Sequence, residues 1–195
     1  VIGIMSFLSA LVIVYSSGSR QRNALAVESA KIVELTQRAK SLSISTFDQD
    51  NPPPPCAYGL WVDHINDEYA LGRYEKDSGE CPKIGYSGGE EGALVAGRWE
   101  VVPEEQYVLP PGITFHRCNE SGNDKIQYAL FEPPNPDVWL YRDDSQCPGC
   151  KLLPQGIPAG GIYLQTDDRE TGAKIEINRG GQVNLVAFSD PGCSL

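Results

Sequence analysis

Basic side chains are in short supply: 16 Lys and Arg stand against 26 Asp and Glu, for a net charge of −10. Such a chain repels phosphate backbones and anionic headgroups, so nucleic acid is not an expected partner. A DNA-uptake role would need a basic stripe that this composition barely offers. Histidine is scarcer still. His64 falls in a turn and His116 in a strand-like run, and no Ser, Cys or Asp motif accompanies either. A catalytic triad is therefore unsupported, and an enzyme is not expected. Ser87-Gly88-Gly89 lacks the Lys-Ser/Thr that a phosphate-cradling loop requires. Asp143-Asp144 and Asp167-Asp168 match no full calcium loop and read as solvated turn carboxylates. No cofactor and no metal site is expected. There is no internal repeat, and no strand–helix alternation of the Rossmann kind.

The first charged side chain is Arg20. Before it, Val1 to Tyr15 reads VIGIMSFLSALVIVY, with Val1, Ile2, Ile4, Met5, Phe7, Leu8, Leu11, Val12, Ile13 and Val14 supplying an apolar surface nearly all round a helix. As a helix, this run is about 22 Å long, against a hydrocarbon core of roughly 30 Å. A signal peptide or a buried core helix would also be apolar. The helical pattern does not stop at Tyr15, however, which favours a membrane helix that continues outward. Beyond Ser16-Ser17-Gly18-Ser19, a weak point for helix, Leu25, Ile32, Leu35, Ala39 and Leu42 fall on one stripe. Most charged residues, Glu28 and Lys31 among them, are assigned to the other side. This half needs a globular partner on one face only. Pro52 to Pro55 then makes a stiff connector.

After the prolines the period becomes alternating. Ala57 to Asp63 and Tyr69 to Glu75 read as a hairpin. Arg98 to Val102 and Gln106 to Leu109 read as two short strands, followed by a run from Ile113 to Cys118 and another from Lys125 to Glu132. Gly161 to Thr166, Ala173 to Asn178 and Gln182 to Val186 form a closing meander with turns at DDRETG and RGG. The expected class is α+β: a long N-terminal helix, apolar then amphipathic, packed on an antiparallel β head of one or two sheets. The expected divisions are residues 1–19 (membrane or filament-core half), 20–50 (amphipathic half) and 51–195 (head).

Cys56, Cys81, Cys118, Cys147, Cys150 and Cys193 all lie in the head. An even count among many Gly and Pro fits an oxidised framework outside the cytoplasm. Cys147-Pro148-Gly149-Cys150 has the CxxC spacing but reads as loop, which favours structural disulfides over zinc or an exchange-active thiol. Cys56 and Cys81 could face each other across the hairpin mouth. The remaining connectivity stays open.

The segment from Val1 to Ser45 resembles the N-terminal helix of type IV pilins and type II secretion pseudopilins. Val1-Ile2-Gly3-Ile4-Met5-Ser6 looks like the stretch just after that family's mature start. Tyr58-Gly59-Leu60, Leu109-Pro110-Pro111-Gly112-Ile113-Thr114, Phe131-Glu132-Pro133-Pro134 and the run from Lys174 to Val183 are similar to the heads of GspH/FimT-like minor pseudopilins. The resemblance implies a structural subunit that meets other pilin or pseudopilin subunits through its N-terminal helix. It also implies an inner-membrane assembly platform as partner, a single-pass inner-membrane state before assembly, and a periplasmic or cell-surface filament after it. The family's basic leader and early glutamate are not among these residues, and the expectation is that they precede Val1. A membrane-tethered extracellular binding module that does not polymerise is the alternative.

Overall fold

The structure is a computed structural model and describes residues 2–45, 55–75, 99–115, 125–133, 137–142 and 158–188. Side chains are described from Gly18 onward, apart from those of Asp137 and Phe188. One helix, α1 (Ile2–Ser45), comes first, and the strands that follow pair antiparallel. The layout is α+β.

The strands are β1 (Ala57–Asp63), β2 (Glu68–Tyr74), β3 (Trp99–Val108), β4 (Ile113–Phe115), β5 (Ile126–Glu132), β6 (Asp137–Arg142), β7 (Ala159–Thr166), β8 (Gly172–Asn178) and β9 (Val183–Phe188). They form a five-stranded sheet of order β3-β2-β1-β5-β6 and a four-stranded sheet of order β4-β7-β8-β9. Alternation sorts the residues of β1 between two faces. Leu60 and Val62 point into the main core, while Ala57 and Trp61 join a second, aromatic cluster on the other face with Tyr74, Trp99, Tyr128, Trp139 and Tyr141.

Several local expectations change. The Ser16–Ser19 stretch does not interrupt α1, which runs through it to Ser45. Its three Ser and one Gly weaken a helix by about 0.5–1 kcal/mol each, which does not end one that continues on both sides. The two short strands expected around residues 98–109 are the single strand β3. Ala70 pairs with Gln106 and Gly72 with Val101, so four residues of β3 lie opposite one of β2. Pro103 and the left-handed Glu104 (φ 69°) sit in that bulge, and it is the bulge that breaks the alternating pattern. β6 is absent from the strands that the sequence pattern predicts, although its DVWLYR is rich in strand formers. The run expected from Ile113 is strand to Phe115, and His116 to Cys118 lie outside the described residues.

Candidate functional site

α1 turns one face toward the strands. Leu25, Ile32, Leu35 and Ala39 are buried in one cluster with residues of β1, β2 and β4 to β8, among them Leu60, Leu71, Phe115, Ile162 and Ile175. Leu42 is half-buried against it. Full burial of a side chain such as Ile32 contributes about 1.5–3 kcal/mol. The side chains of the apolar run from Val1 to Val14 lie outside the described residues, so its packing is not described. Among the described residues, no helix is long and apolar enough to cross a membrane.

The buried stripe is more polar than an apolarity count implies. Ser29, Thr36 and Ser43 are fully buried on it. Each hydroxyl donates back to its own helix: Ser29 to Leu25 O at 2.7 Å, Thr36 to Ile32 O at 2.7 Å and Ser43 to Lys40 O at 2.9 Å. These bonds remove the penalty of burying an unpaired hydroxyl. Glu28, assigned from sequence to the solvent side, is instead 8% exposed. Positions 25, 28, 29, 32, 35, 36, 39 and 43 keep helical spacing throughout. Apolar spacing carries the phase of the stripe, whereas its polar members have no apolar signal of their own.

Glu28 begins a polar chain that fastens α1 to β2 and β3. The Tyr69 hydroxyl donates to Glu28 Oε2 at 2.5 Å. Burial, then this bond to an acidic acceptor, pushes the Tyr69 phenol far above its ordinary value, so it stays a neutral donor. Lys31 lies 3.6 Å from the other Glu28 oxygen, and its ammonium sits 4.5 Å over the Tyr107 ring. Tyr107 stacks on Tyr69 with centroids 5.4 Å apart and donates to Glu105 at 3.0 Å, which raises the Tyr107 phenol's pKa as well. Arg38 closes the chain with an ion pair to Glu105, itself 8% exposed. At the other sheet, Lys40 donates to Gly181 O at 3.1 Å, and Arg22 reaches Glu170 at 3.9 Å. Chemically, the arrangement holds elements together: its phenols are locked as donors and its carboxylates are engaged.

Cys56 is disulfide-bonded and buried in the aromatic cluster. Cys81, Cys118, Cys147, Cys150 and Cys193 lie outside the described residues, as do His116 and Asp143-Asp144. Asp167 and Asp168 are exposed turn residues. The Thr166 hydroxyl and the Glu170 N–H donate to the Asp168 carboxylate and hold its pKa below the ordinary value. Among the described residues, no group of three or more His, Cys, Asp or Glu could hold a metal ion. Comparison with family models, curated proteins and solved structures returned no match.

Proposed function

We propose that this chain is a pilin-like structural subunit, a minor pseudopilin or minor pilin of a type II secretion or type IV pilus filament. The observation that carries the reading is the division of one helix. α1 is 44 residues long, about 66 Å at 1.5 Å per residue. Its described contacts beyond itself run from Gln21, beside the turn residue Gly112, to Leu42, which packs against the main core. The part before Arg20 has no charged residue. An amphipathic half seated on a sheet and an uncharged apolar half suit a subunit whose helix leaves the bilayer to bundle with equivalent helices. Lipid contacts are exchanged for helix contacts, and the acidic head coats the shaft. The partners are other pilin or pseudopilin subunits and an inner-membrane assembly platform, and no cofactor takes part.

The test is Leu11→Lys in the full chain, expressed with its neighbouring subunits. A Lys at the centre of a membrane helix costs about 2.5–3.5 kcal/mol on insertion scales. The variant should disappear from sheared filaments while its head melts like the parent's. Assembly that proceeds unchanged would overturn the reading. A parent chain that stays monomeric in detergent beside its partners would favour the membrane-tethered binding module instead.

A further inference from the structure

The turn between β1 and β2 joins the two sheets. Asp63 organises it: the carboxylate accepts from the N–H of Ile65 (2.8 Å), the N–H of Asn66 (3.1 Å) and the Asn66 side chain (2.7 Å). Asp67 is left-handed, with φ 56°. Its carboxylate accepts the Phe115 N–H at 2.9 Å, on β4 of the second sheet, and its carbonyl accepts the Leu109 N–H at 2.8 Å. His64 folds beneath the turn and is 3% exposed. Its Nε2–H donates to Ile126 O at 2.9 Å on β5, and its ring meets Phe115 edge-on at 5.3 Å. Next to Ile126, Lys125 bridges to Gly161 of β7. One turn thus ties β1, β2 and β5 to β4.

We propose that this turn is an acid-released clasp between the sheets, with His64 as the group that lets go. The inference does not depend on the pilin reading. The geometry sets the trigger. Nδ1 is buried and, among the described residues, has no hydrogen-bond partner. A proton there creates a second N–H with no acceptor, in a site that also feels the Lys125 ammonium. Among the described residues, the other charged groups near the ring are Asp63 and Asp67 of the turn itself, and both favour the charged ring. Their described hydrogen bonds are with the turn's own amides and with Phe115. β4 presents the uncharged Phe115. The protonated ring gains by swinging out to water, and the Ile126 bond and the Phe115 contact leave with it. Phe115 is fully buried in the main core, so release loosens β4 from the first sheet.

The direction with pH follows from linkage. Burial first, then Lys125, lowers the His64 pKa from 6.5 to about 4. The open form therefore binds the proton more readily between those values, and the closed form loses stability as pH falls from about 6.5 to about 4, with nothing further lost from this group below that. At pH 5 the opening constant should be about thirtyfold above its neutral value.

The experiment is native-state hydrogen exchange on the full chain in detergent micelles at pH 7.5 and pH 5, corrected for intrinsic exchange. The Phe115 and Leu109 amides should lose about thirtyfold protection, and the amide of Ile175, inside β8, should lose less. His64→Gln, which keeps a donor for Ile126 O but does not titrate, should flatten the pH dependence. Equal loss at Ile175, or an unchanged pH dependence in His64→Gln, would overturn the proposal. Should that variant fail to fold, the ring resonance of His64 in the parent chain decides: titration near pH 6.5 overturns the clasp, and titration near pH 4 together with the selective loss at Phe115 supports it.

Discussion

Tyr69 and Glu28 meet where the helix, β2 and the stacked ring of Tyr107 converge, and removing a single oxygen tests what they contribute. Tyr69→Phe deletes the donor and leaves the Glu28 carboxylate, 8% exposed, without the hydrogen bond that now accompanies its burial. An orphaned buried acceptor costs about 1–3 kcal/mol, and more when it is charged. Lys31 at 3.6 Å offsets part of this loss. Thermal melting at pH 7 should therefore register a destabilisation of about 1–3 kcal/mol. A variant that melts like the parent would show that the chain from Glu28 to Arg38 is decoration on an apolar interface. Other residues at this scale answer to space. A Cβ at Gly72 would lie 2.3 Å from the Trp99 ring and 2.8 Å from Glu100 O, so β2 accepts the indole only where it carries no side chain.

At the scale of the helix, the two halves should fail differently. Leu35 is 4% exposed within the main core. Leu35→Asp removes apolar contact and puts an unpaired charge between α1 and the strands. A large-to-small core change alone costs about 2–5 kcal/mol, and the buried charge adds to it. The full chain in micelles should melt well below the parent, and its β-sheet circular dichroism should be lost at lower temperature. Leu11→Lys should leave that melt in place and act on assembly. If Leu35→Asp melts like the parent, the amphipathic half is not what seats the helix. The strands carry their own lesson. β3 tolerates Pro103 and a left-handed Glu104 because the bulge takes them out of register with β2, an accommodation that a period count cannot foresee.

For the whole molecule, the oxidised state matters most. Cys56 is disulfide-bonded and sits in the aromatic cluster, its N–H donating to Tyr74 O at 2.8 Å. The six cysteines should all be oxidised in exported protein, so alkylation before reduction should modify none of them. Six modified cysteines in exported protein would overturn the disulfide framework. Cys56→Ser should destabilise the head by about 2–5 kcal/mol, as removal of a native disulfide from a secreted domain does. A melt of that variant within error of the parent's would mean that the core alone holds the head.

The sequence by itself determined the class of the fold. The switch from a period near 3.6 to alternation after Pro55 separates helix from strands, because the two periods place side chains on incompatible faces. It also marked Leu25, Ile32, Leu35, Ala39 and Leu42 as one face, since apolar residues at helical spacing have no other economical use in water. Only the tertiary structure decided which polar residues join them. Glu28 reads as a surface charge until Tyr69, 41 residues further on, is found to donate to it. His64 reads as an ordinary turn residue until Phe115 and Ile126 close over it. In both cases the partner comes from a distant strand. Whether a polar side chain is solvated or buried depends on that partner, and local pattern carries no record of it.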